Sequence, residues 1–251
     1  AEFRLLPLPE TVLGLGIPFP SAEDALAFVV AAREARDAGS ALQPRCLEYL
    51  DASAFAIARD HARATLGGAW AEGARAYVYT EQEGFAGEDP PLDDWLALAE
   101  RHRALADDIQ VFEGETSLAT ARAMRHAVPA TLNERAARHR ATGGRKVSTD
   151  WAVPYRRLAE ALAMADAEAR AHGVELAAVF GHAGNGHPHT HFVARDPDEL
   201  ARIEAALDAT VDRVLAMGGT VAAEHGIGKL KRRWLARQLS PTQLAVMRAV
   251  K

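Results

Sequence analysis

Four of the ten histidines lie within ten residues on a glycine-rich segment, and they form the densest group of imidazoles in the sequence. They are His182, His187, His189 and His191. Three glycines stand among the six residues that begin at Gly181. Glycine lets the backbone turn tightly and leaves neighbouring imidazoles uncrowded. Because neutral imidazoles bind first-row divalent metals, this segment predicts a metal site.

The two outer histidines of the loop are the first candidate ligands. His182 stands at the end of one predicted strand, and His189 stands at the start of its predicted hairpin partner. Their imidazoles would meet across the mouth of the loop and form half of a divalent-metal site. Strand alternation places His191 on the same face as His189. His187 and His191 remain open as further ligands, as hydrogen-bond partners of the ligands or as side chains that face solvent.

A carboxylate and a further imidazole follow downstream, at Glu224 and His225. Glu224 comes directly after a predicted strand that should run beside the histidine hairpin, which makes it the candidate third ligand. An imidazole beside a metal-bound group is a natural general base near neutral pH, and His225 is the candidate for that role. The basic residues that follow are expected to form a solvated helix face. They are Lys229, Lys231, Arg232 and Arg233.

The elements that must position these residues read as two similar halves. Each half reads β-α-β-β-α-β, with one extra helix after residues 46–50 in the first. This order predicts an α+β fold of duplicated ferredoxin-like (βαββαβ) units with antiparallel sheets. The first unit is residues 1–114 and begins with a strand near residues 3–8. A helical connector, residues 115–144, is broken at Pro129. The second unit, residues 145–251, carries the site. Its predicted strands are residues 146–153, 174–180, 189–194 and 220–223.

Composition excludes several classes of protein. The 251 residues carry 29 Lys+Arg and 34 Asp+Glu, a net charge of -5, and no basic block, which argues against a nucleic-acid partner. One cysteine, Cys46, excludes an internal disulfide and a cysteine-based metal site. The apolar stretches are too short to cross a bilayer, and the first residues do not have the apolar region of a signal peptide. We therefore expect a cytoplasmic protein.

Three motifs occur in a fixed order along the chain. They are Lys146-x-x-x-Asp150-x-x-Val153-Pro154, Gly181-His182-x-Gly184-Asn185-Gly186-x-x-His189 and Glu224-His225-Gly226-Ile227-Gly228. Together they resemble the C-terminal domain of FAD-linked oxidases. That family includes the glycolate oxidase flavin subunit, D-lactate dehydrogenases and D-2-hydroxyglutarate dehydrogenase. The resemblance covers essentially the whole chain, and the family domain is a duplicated ferredoxin-like unit.

The resemblance implies a capping domain in an enzyme that oxidises a small 2-hydroxy acid. Its FAD would be held by an N-terminal domain absent from this chain. His182, His189 and Glu224 would hold a divalent metal (Zn, Mn or Fe). His225 would take the proton of the substrate hydroxyl while hydride passes to the flavin. An electron-acceptor partner could bring the protein to a membrane surface, and a homodimer is left open.

Two further residues are implied as substrate contacts. Lys146 is a candidate for the substrate carboxylate. Arg135 is the arginine nearest to a position where several members carry a substrate-binding arginine, although Asn133 falls closer to that position.

Several departures from the family pattern bear on the metal. The family loop more commonly reads Gly-Asp-Gly-Asn where this chain has Gly184-Asn185-Gly186-His187, and an Asn often stands at the position of His191. These changes remove a carboxylate and add imidazoles, so Asn185, His187 and His191 are candidates for extra ligands or for groups that support the ligands.

No flavin-binding half is recognisable in the sequence, and we expect the domain to be inactive by itself. Two alternatives remain. One is a self-sufficient metal-dependent hydrolase that uses the same site. The other is a non-catalytic ferredoxin-like binding module in which the histidines are structural.

Overall fold

The structure is a computed structural model that describes residues 8–66, 70–85, 87 and 89–250. The chain divides into two compact units, Ala1–Ala127 and Val128–Lys251. The strand predicted near residues 3–8 falls almost wholly outside the described residues, and Leu8 itself is not in a strand.

The first unit is an antiparallel sheet with helices between its strands. It contains β1 (Thr11–Phe19), α1 (Ala22–Asp37), β2 (Pro44–Asp51), α2 (Ala52–Leu66), β3 (Ala76–Gly84), α3 (Leu92–Arg101) and β4 (Gln110–Glu113). The strands lie in the order β4-β1-β3-β2, and each neighbouring pair is antiparallel. This order is compatible with the predicted βαββαβ unit, with α2 as the extra helix.

Aromatic side chains fill the space between this sheet and its helices. The rings of Phe19 and Phe28 lie 5.4 Å apart, and those of Phe28 and Trp95 lie 6.1 Å apart. Trp95 is fully buried, and its Nε1 donates a hydrogen bond of 2.8 Å to Gln82 Oε1. The buried indole thus keeps its one polar group satisfied.

A single long helix, α4 (Gly114–Ala137), connects the two halves. The break predicted at Pro129 is wrong, because the helix continues through this proline. Arg135 lies on the exposed side of its last turn.

The second unit carries the histidine segment. It contains β5 (Arg145–Ser148), α5 (Leu158–Ala171), β6 (Ala178–His182), β7 (His187–Ala194), α6 (Pro197–Ala216), α7 (Arg232–Gln238) and α8 (Pro241–Val250). Its strands lie in the order β6-β7-β5 with antiparallel neighbours. Helices and antiparallel strands in both units confirm the α+β class.

Three of the predicted strands in this unit have wrong boundaries. The strand predicted at residues 146–153 ends at Ser148. Val174 is not in a strand, because its backbone N–H donates to Ala169 O and so completes the C-terminal turn of α5. Residues 220–223 form only one isolated bridge, between Thr220 and Ala152. The backbone N–H of Val221 instead donates to the side chain of Gln238 in α7, which ends the ladder. Among the described helices, none is long and apolar enough to cross a membrane.

Candidate metal centre

The β6–β7 hairpin presents three imidazoles on one side of its turn. His182 ends β6 and is the register partner of His187, which begins β7. His189 lies two residues farther along β7 and therefore points to the same face as His187. The ring centroids of His187 and His189 are 4.5 Å apart, and those of His182 and His187 are 5.5 Å apart.

The turn of this hairpin depends on Gly186. Its φ is +68°, a left-handed conformation that favours glycine. A Cβ at this position would lie 1.9 Å from the carbonyl oxygen of Val153. The backbone N–H of Val153 donates to Gly186 O at 3.0 Å. Glycine thus allows the hairpin to contact the segment that follows β5.

Glu224 brings a carboxylate to the same cluster. Its Oε2 lies 3.4 Å from His182 Nε2, 3.5 Å from His189 Nε2 and 3.9 Å from His187 Nδ1. One donor atom from each of these four residues lies within 4.8 Å of all the others. The three predicted ligands are therefore close together, and His187 joins them.

His225 lies at the open edge of the cluster. Its ring stacks on His189 with a centroid distance of 5.2 Å and an interplanar angle of 10°. Its Nε2 is 3.7 Å from Glu224 Oε2, and 57% of its side chain is exposed. The imidazole is thus beside the candidate ligands and accessible from solvent.

A buried carboxylate to which the sequence analysis gave no role, Asp150, holds the Glu224 loop. Its two oxygens accept hydrogen bonds from the backbone N–H of Glu224 at 3.1 Å and of His225 at 3.0 Å. Lys231 Nζ forms an ion pair with Asp150 and donates to Gly226 O at 2.8 Å. Burial raises the pKa of Asp150, but Lys231 and the two N–H groups outweigh burial and hold it below its ordinary value.

The solvated face predicted for the basic segment is wrong for Lys231, whose side chain is only 14% exposed. The reason is that a buried aspartate 81 residues earlier in the chain needs a counter-charge, and spacing along the sequence gives no sign of this pairing. The one available signal was the place of Asp150 in the first of the three motifs.

The electrostatic environment keeps the candidate ligands in their metal-binding forms. Burial, followed by the neighbouring His189, lowers the pKa of His187 to about 4. Burial also lowers the pKa of His189, so both imidazoles are neutral near pH 7. His189 Nδ1 lies 3.1 Å from Thr149 O, a contact that favours a proton on Nδ1 and leaves Nε2 directed at Glu224. For Glu224, burial raises the pKa, but the surrounding imidazoles lower it below its ordinary value.

The fourth histidine of the segment, His191, is not part of the four-donor group. Its ring stacks on Phe180 with a centroid distance of 4.6 Å. Burial, and then the charge of Lys146, lower its pKa to about 3. Within the described part of the chain, neither of its ring nitrogens has a hydrogen-bond partner.

The remaining predicted site residues are not members of the four-donor group. Lys146 is half-buried on β5, and burial lowers its pKa. Asn185 is exposed in the short 3-10 turn Ala183–Asn185. The roles given to Lys146, Asn185 and Arg135 stay predictions.

The donor chemistry of the cluster fits a first-row divalent ion. Three imidazole nitrogens and one carboxylate oxygen are ligands that such ions take, and three of the donors come from one hairpin. The fold and cluster together define an α+β domain with a candidate metal centre at the end of an antiparallel hairpin.

The chain belongs to the family of FAD linked oxidases, C-terminal domain, whose model matches residues 8–251. It is 27% identical over 257 residues to glycolate oxidase subunit GlcD of Bacillus subtilis, covering 100% of this chain and 50% of that protein. It is 28% identical over 256 residues to D-lactate dehydrogenase of Archaeoglobus fulgidus, covering 100% of this chain and 51% of that protein. The chain thus spans about half the length of these relatives.

A solved structure shares the fold at low sequence identity. The fold is similar to p-cresol methylhydroxylase with substrate bound, with a TM-score of 0.62 and 11% identity. That match covers 99% of this chain and 51% of the other. This likeness concerns the fold, whereas the family predicted from the three motifs is confirmed by the family model over residues 8–251.

Proposed function

We propose that this chain is the substrate-binding and capping domain of an FAD-dependent oxidoreductase that oxidises a small 2-hydroxy acid such as D-lactate or glycolate. The observation that carries the proposal is the group of three imidazoles and one carboxylate in a member of the FAD-linked oxidase family. Relatives over the full chain are named as a glycolate oxidase subunit and a D-lactate dehydrogenase. An FAD-binding domain in the rest of the parent protein would account for the half of these relatives that the chain does not cover.

His182, His189 and Glu224 are the residues that would hold the divalent ion. The chemistry that the bound groups supply is Lewis-acid polarisation of the substrate hydroxyl and carboxylate by the metal and hydride acceptance by the flavin. Glu224 would contribute the one negative charge among these donors. Lys146 would offer a cation to the substrate carboxylate.

His225 would receive the proton of the 2-hydroxyl. The proton of the O–H bond would pass to an imidazole nitrogen of His225, and the hydrogen on C2 would leave with both electrons of its bond as a hydride for the flavin to accept, so that the 2-hydroxy acid becomes a 2-oxo acid. The backbone of His225 is fixed by Asp150, and its ring is supported by stacking on His189. A base held at the edge of the cluster can reach a hydroxyl presented from the open side.

Metal content is the measurement that tests this proposal first. The purified chain, reconstituted with Zn²⁺ and dialysed, should contain about one ion per chain by mass spectrometry. His182→Ala and Glu224→Ala should each lose the ion. His126→Ala, which alters an exposed histidine outside the four-donor group, should retain it. A chain that stays metal-free after reconstitution, or variants that keep the ion, would refute the metal site.

The reaction class needs a second experiment. The full-length parent, with its FAD-binding domain, should reduce its flavin with D-lactate or glycolate, and His225→Ala should abolish this. Ester or phosphodiester hydrolysis by the isolated chain, lost in His225→Ala, would instead favour the hydrolase. Chelation that changes neither metal content nor melting temperature would favour the binding module. The cytoplasmic location and the homodimer stay predictions.

A further inference from the structure

His187 is placed differently from a residue that only supports the ligands. It is 4% exposed, and its Nδ1, like the Nε2 atoms of His182 and His189, lies within 3.9 Å of Glu224 Oε2. Its Nδ1 is 3.9 Å from Glu224 Oε2, which is too long for a hydrogen bond. The ring therefore makes no supporting bond to that carboxylate.

The other ring nitrogen faces a buried negative charge. His187 Nε2 lies 3.1 Å from Asp150 Oδ1, but the contact is not aligned as a hydrogen bond. Among the described residues, this nitrogen has no hydrogen-bond partner. A buried polar group without a partner costs about 1–3 kcal/mol. Metal-bound histidines commonly direct their second nitrogen at a carboxylate, which fixes the tautomer and leaves the first nitrogen unprotonated.

We propose that His187 is a fourth protein ligand of the metal, bound through Nδ1, with its Nε2 facing the carboxylate of Asp150. This inference rests on the metal site proposed above and adds a third imidazole to its two. His182 and His189 would bind through Nε2, so the three histidines of one hairpin would use two different ring nitrogens.

The added imidazole strengthens the preference of the site for ions that bind nitrogen ligands. Imidazole ligands suit Zn²⁺ and Fe²⁺, whereas carboxylate and water ligands suit Mn²⁺ and Mg²⁺. A donor set of three nitrogens and one oxygen should therefore bind Zn²⁺ in clear preference to Mn²⁺. Four protein donors fill the tetrahedral set that Zn²⁺ usually takes, so a 2-hydroxy acid would bind Zn²⁺ only by adding to its coordination, whereas an ion that takes six ligands would keep two positions for the hydroxyl and carboxylate.

Nuclear magnetic resonance of the chain loaded with Zn²⁺ tests the ligand set directly. Long-range ¹H–¹⁵N correlation spectra report which nitrogen of each histidine is metal-bound, protonated or free. We expect coordination at Nδ1 of His187 and at Nε2 of His182 and His189, with the proton of His187 on Nε2. His187→Asn should remove one set of shifted signals. It should also raise the Kd for Zn²⁺ by more than about tenfold, because loss of a group that only supports a ligand already weakens metal binding about tenfold.

His191→Asn is the matched control, because it removes a buried histidine of the same strand that lies outside the four-donor group. It should leave three coordinated imidazoles. The spectrum of the unmodified chain decides the question even if a variant fails to fold. Coordination by His182 and His189 with a free His187 Nδ1 would overturn this inference and leave the proposed metal site standing. A spectrum with no coordinated histidine would overturn both.

Discussion

Replacing Gly186 by alanine should destabilise the protein through two separable effects. The first is conformational, because φ at this position is +68° and a left-handed backbone costs a residue with a side chain about 1–2 kcal/mol. The second is steric, because the new Cβ would lie 1.9 Å from Val153 O. Forcing a methyl group into a filled space costs about 1–3 kcal/mol. The expected loss of unfolding free energy is therefore about 2–5 kcal/mol.

The chain offers a control that carries the first effect without the second. Gly173 has a φ of +66°, and nothing lies within 4 Å of where its Cβ would be. Gly173→Ala should therefore cost only about 1–2 kcal/mol. Urea unfolding of both variants gives the two free energies from the midpoints and slopes. The difference between the two losses of unfolding free energy gives the steric cost of placing a Cβ against Val153 O.

Metal content extends the same experiment to the site. If the contact of Gly186 with Val153 holds the hairpin in place, Gly186→Ala should bind Zn²⁺ more weakly, and Gly173→Ala should bind it like the unmodified chain. Equal destabilisation by the two substitutions would refute the steric part of the reasoning. Unchanged metal affinity in a destabilised Gly186→Ala chain would show that the contact does not position the ligands.

Three other predictions concern acid stability, packing and metal linkage. Burial raises the pKa of Glu81, but hydrogen bonds from Arg122 outweigh burial and lower this pKa. The stabilisation that Glu81 contributes is therefore fully present above its pKa in the unfolded chain, and it is lost as the pH falls through its pKa in the folded chain. Glu81→Gln should cost about 1–3 kcal/mol at pH 7 and flatten the acid side of a plot of urea midpoint against pH. Trp95→Phe should cost about 2 kcal/mol, because it removes the bond to Gln82 and leaves a gap, and an unshifted urea midpoint would contradict this. Zn²⁺ at 100 times its Kd should add about 2.7 kcal/mol to the unfolding free energy, and EDTA should reverse the gain, whereas His182→Ala should respond to neither.

The histidine hairpin was predictable because its signals are local. Glycines at the turn, alternation along one strand and the spacing between His182 and His189 all act within a few residues. The same alternation applies to His187, which shares its parity with His189, but the sequence could not show that His187 lies in the cluster and His191 outside it. That distinction depends on how far along β7 each ring sits from the end of the hairpin.

The parts that sequence could not predict depend on contacts between distant segments. The ion pair of Asp150 with Lys231 joins residues that are far apart in the chain, and neither has a local pattern that indicates its partner. The predicted strand at residues 220–223 failed for a similar reason. A glutamine side chain from α7 takes the N–H of Val221 that strand pairing would have used.

The two carboxylates of the site can be given different tasks from their contacts alone. Asp150 is buried, and its oxygens already accept two backbone N–H groups and the ammonium of Lys231. Its charge is thus balanced within the protein. Glu224 is half-exposed, and its Oε2 is surrounded by imidazoles, which are common metal ligands in proteins. Among the described residues, Glu224 is paired with imidazoles and with no lysine or arginine. This placement suits Glu224 to the ligand role proposed for it and Asp150 to holding the loop that carries Glu224.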